Sequence, residues 1–271
     1  MSRALVNAGW LDQTNKSRVW RERLAHLVRV YTLETKYEWL KTLRNPAFSL
    51  PVVLFPLMFY LFFAVVLNAD NVEAATYLLC TYASFGVMGP ALFSFGAGLA
   101  VERSKGWLQL KSISPMPASA QILSRTLVSM LFSLIIVLLM MLVAQLFAGV
   151  TLAFGQLLSL VITLVLASLP FCLMGLALGL LLKAESAAAI INAIYLPMSF
   201  LSGLWLPIAM LPEFLQGFAY FLPSYHLSQL ALIHIGQSQG GSVLAHVAML
   251  GVFSLLFLVF VVMAYARQRR L

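Results

Sequence analysis

The side chains of this chain that could do chemistry are few: four histidines, two cysteines and a Ser-Gly pair at Ser202-Gly203. His226, His234 and His246 lie close enough in sequence to raise a metal site. Zinc-type sites, however, draw on Cys or acidic neighbours at short, regular spacings. No such neighbours flank these three and their spacing is irregular, so histidines at a membrane interface are the better reading. His26 stands far from them. The H-E-x-x-H pattern, which sets two histidines on one helical face, is absent. A serine nucleophile at Ser202 would have only His226 or His246 as its base, and no signature supports the pairing. The phosphate-cradling pattern G-x-x-x-x-G-K-[ST] is absent too, so ATP, if it drives this protein, is bound by another chain. Cys80 and Cys172 lie inside apolar runs and read as single buried thiols rather than a disulfide.

Composition sets the elements that must hold these residues. Of 271 residues, 62% are hydrophobic and 10% charged, the balance of an all-α integral membrane protein. A bilayer core about 30 Å thick takes roughly 20 helical residues. Six apolar runs meet that length, at about 48–67, 76–100, 127–148, 157–182, 187–206 and 243–265. They define a six-span domain over 48–265, with a segment 1–47 before it and a tail 266–271 after it. The second run is the least apolar, with Thr81, Ser84, Ser94, Gly86, Gly89, Pro90, Gly96 and Gly98. Glycine and proline are tolerated in a span whose loosened backbone is covered by other helices. Span two is therefore expected to face protein or a cavity.

The seventeen basic residues give the orientation. Nine lie in 3–44 and four in 103–125; Lys183 follows, and Arg267, Arg269 and Arg270 end the chain. Segments 68–75, 149–156 and 207–242 contain none. Basic residues resist translocation, so both termini and the loop 102–125 are expected in the cytoplasm. This topology also accounts for the net charge of +8; with no compact basic domain, nucleic acid is not a partner. The first forty-five residues lack the apolar core and cleavage site of a signal peptide.

Residues 18–45 read as an amphipathic helix lying in the membrane interface, with Trp20, Tyr31, Tyr37 and Trp39 as anchors and a bend near Thr32–Thr35. Asn45-Pro46 ends it. In the loop 102–125, a charged start gives way to a short apolar stretch of Trp107, Leu108, Leu110 and Ile113, and prolines 115 and 117 stop it. A short helix with an exposed tryptophan is the form of a docking element. Segment 207–242 is split by Pro207, Pro212 and Pro223, and its rings (Phe214, Phe218, Phe221) are too apolar for free solution. Short re-entrant outer helices would bury them.

Ionisable residues in mid-span usually mark ion or proton paths, and here every Asp, Glu, Lys and Arg sits at or beyond a span end. Gln145 and Asn192 are the polar mid-span groups. Asn192 suits a hydrogen bond across a helix interface and the lining of a path equally well. Energy is thus expected from outside the bilayer.

Loop 102–125 and segment 199–228 together resemble the type-2 permease subunits of ATP-binding cassette (ABC) exporters. The family stretch at the fifth span reads here Leu201-Ser202-Gly203-Leu204-Trp205-Leu206-Pro207, then Leu211-Pro212-Glu213-Phe214-Leu215-Gln216, then Leu222-Pro223-Ser224-Tyr225-His226. Glu102 followed by Gly106 and ending at Ser114-Pro115 matches the family's cytoplasmic loop, and Arg44-Asn45-Pro46 ends the matching N-terminal helix. Leu222 and Tyr225-His226 depart from the usual pattern.

The resemblance implies a half-transporter that is not itself an enzyme and binds no cofactor. Two such six-span subunits, as a homodimer in membrane lipid, would enclose the path. Two copies of a separate ABC ATP-binding subunit would carry ATP and magnesium. Glu102, Gly106, Trp107, Leu110 and Pro115 would form the ATPase-coupling element. Ser202, Gly203, Pro207, Pro212, Glu213 and Pro223 would form the outer gate. Ser84, Ser94 and Asn192 would line the path or the subunit interface. The resemblance places the chain as a multi-pass protein of a bacterial cell (inner or plasma) membrane. The expected cargo is an amphipathic drug-like molecule or lipid, with lipid-linked polysaccharide as the alternative. A membrane scaffold or an intramembrane enzyme is the reading from another class.

Overall fold

The computed structural model describes the backbone of residues 2–113, 116–238 and 240–268. Among them there are helices and no strands. Helix α1 (Ser2–Leu43) is continuous through Thr32–Thr35, where the bend is expected. The hydroxyls of Thr32 and Thr35 donate to the carbonyls of Val28 and Tyr31, each at 2.8 Å. Both reach back to the carbonyl four residues earlier, a pattern that bends helices without ending them.

Pro46 opens α2 (Pro46–Tyr60) at the first helical position, where its missing N–H is no loss. A π-helical turn, Leu61–Val66, extends it. The side chain of Asn71 caps α3 (Val72–Phe93) by accepting from the Ala74 N–H at 2.9 Å. A second π turn, Ser94–Gly98, carries α3 into α4 (Leu99–Ser104). Gly106, at φ 73°, then separates α4 from α5 (Trp107–Ser112); a side chain is strained in that left-handed region. Next come α6 (Ala118–Phe147), the pair α7 (Phe154–Leu166) and α8 (Leu169–Leu181), and α9 (Ala184–Leu201). After a 3-10 turn, Ile208–Met210, the chain forms α10 (Glu213–Ala219), α11 (Pro223–Ile233) and α12 (Val243–Gln268).

Six stretches are long and apolar enough to cross a membrane: Pro46–Val66, Val72–Ser104, Ser119–Phe147, Phe154–Leu181, Ala184–Leu201 and Val243–Ala264. Each overlaps one of the six expected runs, and the ends that move most lie around the loop between spans two and three and at the end of span five. Span two continues to Ser104 and span three begins near Ser119, because the charges inside them, Glu102 and Arg125, pair with each other. Span five stops at Leu201 rather than 206, since Gly203 turns the chain at φ 75°.

Span two is the centre of the bundle, 78% buried over its apolar core against 11% for span six. Gly175 and Gly179 of α8 lie so close to it that a Cβ at either would press on backbone carbonyls of α3 and its π turn. Close approach through small residues is how helices gain contact when lipid supplies no hydrophobic drive. Large apolar side chains on spans one and six, such as Met58, Phe62, Leu255 and Val262, stay exposed.

Candidate functional site

Where α4 ends, four charged side chains from three helices meet. Lys41 of α1 donates to Glu38 at 2.5–2.6 Å and to Glu102 of α4 at 2.6 Å. Arg125 of α6 donates through Nη2 to the other Glu102 oxygen, and its Nε lies 3.7 Å from Glu38. Arg125 also donates to the Ser94 carbonyl at 3.2 Å, in the π turn of span two. Glu38, Glu102 and Arg125 are buried. Two carboxylates against two cations make the cluster neutral, and buried charges persist only when paired in this way.

Neighbouring bonds extend the junction. Arg103 caps the end of α8 through the carbonyls of Leu180 and Leu182, the latter at 2.6 Å, filling acceptors that a helix end leaves open. Lys111 of α5 pairs with Glu34 of α1 at 2.6 Å. Tyr31 bonds Ser119 at 2.8 Å and Trp39 packs on Phe132 with ring centroids 5.1 Å apart, holding α1 along the start of α6. Helix α5 is thereby tied to α1, and its root to spans two, three and four. On α5, Trp107 and Leu110 are 49% and 65% exposed.

Directly against the ionic cluster lies a cavity of about 940 Å³. Its walls are mostly apolar: Phe48, Val52 and Phe55 from span one, Phe93 and Ala97 from span two, Leu196 from span five. Lys105, Trp107, Ser94, Asn192 and Tyr195 also line it. Further along spans one and two, Phe59 and Phe85 pack with Trp205, which follows the turn after span five, with centroids 5.2–6.4 Å apart. Phe85 stacks on Tyr195 at 4.7 Å, and the Tyr195 hydroxyl donates to the Phe85 carbonyl at 2.9 Å. The cavity therefore occupies the half of these spans nearest α5, with an aromatic barrier above it.

The expected site residues fall into separate groups. Glu102, Trp107, Ser94 and Asn192 meet at the cavity. Ser84 does not: it is buried with its hydroxyl on the Cys80 carbonyl at 2.8 Å. Gly106 makes the turn before α5, and Pro115 lies outside the described residues. Ser202, Gly203, Pro207, Pro212, Glu213 and Pro223 gather at the opposite end of the bundle. There Ser202 meets the hydroxyl of Ser224 and the Met198 carbonyl, not an imidazole. A Cβ at Gly203 would collide with Ile208. Pro212 immediately precedes α10 and Pro223 opens α11, and Glu213 lies in the first turn of α10, where a negative charge suits the helix dipole.

Glu38, Lys41, Arg103 and Arg125 were not singled out from the sequence. Their one local signal is the Glu38–Lys41 spacing, three residues apart on a helix. Among the described residues no three His, Cys, Asp or Glu side chains gather as metal ligands.

A family profile described as ABC-2 type transporter matches residues 30–235. The Bacillus subtilis (strain 168) protein named "Putative transport permease YvfS" is 28% identical over 228 residues, which cover 81% of this chain and 91% of that protein.

Proposed function

The chain belongs to the ABC-2 type transporter family, and from that premise we propose that it forms the translocation path of an ATP-driven exporter of amphipathic molecules. As a member it is a multi-pass membrane transport subunit, a permease and not the catalyst, and it works with an ABC ATPase subunit. The rest is our reading. Two copies of the chain enclose the path in a bacterial cell membrane, and two ATPase subunits, which carry ATP and magnesium, dock beneath α5.

The observation that carries the proposal is the position of the 940 Å³ cavity beside the coupling junction. Its aromatic and aliphatic walls accept the apolar body of a cargo, and Asn192, Ser94 and Lys105 offer polar contacts at the end nearest α5. A drug-like amphiphile or a lipid fits this division of surface.

In the resting arrangement the cavity is reached from the α5 side, and Phe59, Phe85 and Trp205 bar the way beyond it. ATP-driven closure of the ATPase pair moves α5. Because α5 is bonded to α1 through Lys111–Glu34, and its root to spans two, three and four, the push reaches whole helices rather than one loop. Closed packing is bistable rather than freely deformable, so such a push biases the bundle between two arrangements. The outer segment 207–242 then parts and releases the cargo.

The test is purification of the full-length tagged chain from its own membrane, followed by identification of what accompanies it. A copurifying ABC ATPase whose hydrolysis is stimulated by amphiphiles is the expected result. A chain that retains no ATPase, or one whose ATPase ignores every amphiphile tried, would overturn the proposal.

A further inference from the structure

At the end of the bundle opposite α5, the Nδ1 atoms of His226 and His246 face each other at 2.9 Å. His226 belongs to the first turn of α11 and His246 to the first turn of α12, so the contact joins the two helices. Both imidazoles are buried, at 6% and 3% exposure. Their other nitrogens are engaged as well. His226 Nε2 lies 3.1 Å from the Tyr220 carbonyl, and His246 Nε2 lies 3.0 Å from the Gly240 carbonyl.

A carbonyl only accepts, so each Nε2 must carry the hydrogen in these two bonds. Two neutral rings would then point bare lone pairs at each other across 2.9 Å. One added proton, on either Nδ1, converts that contact into a charge-assisted N–H···N bond and satisfies all three contacts. A second proton would set two N–H groups head to head and bury two like charges. A metal ion fits less well. Bonds of about 2.0–2.1 Å in tetrahedral geometry need the nitrogens roughly 3.3 Å apart and two further ligands, and among the described residues no third ligating side chain joins them. The ring of Tyr225 flanks both imidazoles, with centroids at 5.3 and 5.9 Å. A Cβ at Gly241 would stand 2.7 Å from His246 Nε2, so only glycine lets the backbone wrap this ring.

We propose that His226 and His246 together form a binding site for a single proton, a latch that fastens α11 to the last span and is released by acid. The closed pair holds one proton; once apart and solvated, the two rings hold two. The open state therefore gains about tenfold over the closed state for each pH unit below the ordinary histidine value of about 6.5. Burial, and secondarily the His246 neighbour, hold His226 below the ordinary histidine range despite the opposing Tyr220 carbonyl. Below about 6.5 the latched form binds fewer protons than the opened one, so there the latch weakens as pH falls further; well above it the opened rings are both neutral and the order reverses.

Other titratable groups stand on the elements around the pair. They are Glu73, Tyr77, Cys80 and Tyr82 on α3, Cys172 on α8, Glu213 on α10 and His234 after α11. None of these touches either imidazole among the described residues; His234 bonds Thr163 of α7 at 2.9 Å and Glu73 bonds Gln237. If 207–242 is the outer gate, as proposed above, acid on that side eases its opening. The latch itself is tested without transport.

The experiment uses the full-length chain in lipid nanodiscs, with spin labels at Phe221→Cys and Leu244→Cys. Both positions are exposed and both native thiols are buried. Distances between the labels are read across the acid range. The expected result is an open population rising about tenfold per pH unit, and flat behaviour in the double variant His226→Phe, His246→Phe. No pH dependence would overturn the latch. So would a rise of about a hundredfold per unit, the mark of two independent neutral histidines, or dependence that persists in the double variant. Histidine 15N spectra of the unmutated chain supply the check if the variant fails to fold: scalar coupling across Nδ1···Nδ1 is expected. Two uncoupled rings, or signals that move together on adding zinc and return with a chelator, would overturn the proton site.

Discussion

The Arg125 guanidinium at the start of span three donates to the Glu102 carboxylate at the end of span two, and both groups are buried. The loop between them contains α5. The pair therefore closes a short ring of chain at the base of the bundle, and displacement of α5 acts on both spans together.

Removing one partner of this pair should be costly. Arg125→Met leaves Glu102 and Glu38 short of a buried cation, and a loss of about 3–5 kcal/mol in folding stability is expected. Adding Glu102→Met should return much of it, since an apolar pair carries no stranded charge. Unfolding of the purified chain in detergent reads both. Equal stability of Arg125→Met and the parent would mean that the cluster does not hold the junction.

The exposed face of α5 should behave in the opposite way. Trp107→Ala and Leu110→Ala remove side chains that are half exposed or more. Chain stability should stay within about 0.5 kcal/mol, while affinity for the ATPase falls by about 30-fold or more at an interface hot spot. Titration of the ATPase against nanodisc-held chain measures it, and unaltered binding would remove α5 from the interface.

Gly203 is required by both backbone and space, with φ 75° and Ile208 where a Cβ would go. Gly203→Ala is expected to cost about 1–3 kcal/mol. Ile208→Ala added to it should relieve the steric part and leave the backbone part. A neutral Gly203→Ala would contradict the turn described here.

Ala188 lines the cavity from span five and is exposed within it. Ala188→Trp should fill the space, abolishing stimulation of ATP hydrolysis by amphiphiles without weakening ATPase binding. Full stimulation in this variant would place the cargo elsewhere.

The six spans were legible because lipid demands long apolar runs, and the prolines at 46, 207, 212 and 223 marked breaks between helices, whereas Gly106 and Gly203 entered only through the family resemblance. Span ends were less legible. Hydropathy stops a helix at Glu102 and starts the next after Arg125, whereas the two charges neutralise each other and let both helices continue. Lys41 and Arg125 could not be paired with Glu102 from sequence, nor Arg125 with Glu38, since these contacts join residues 23 to 87 positions apart. The His226–His246 bond was hidden for the same reason: interfacial histidines and a buried pair have the same residue types, and only the fold brings the two rings to 2.9 Å. Ser84 and Ser94, both polar residues of span two, differ only in the helix face they occupy, which places one in the core and the other at the cavity.

Alternating access of the cavity is tested most directly by a single thiol at Asn192→Cys, a position that lines the cavity and is exposed within it. The native Cys80 and Cys172 are buried and remain silent. With the ATPase bound and no nucleotide, a membrane-impermeant reagent should label position 192 from the α5 side alone. Trapping the ATPase with ATP and vanadate should end that labelling and open the same thiol to reagent from the other side. Labelling from one side only, unchanged by nucleotide, would contradict a transport path through this cavity.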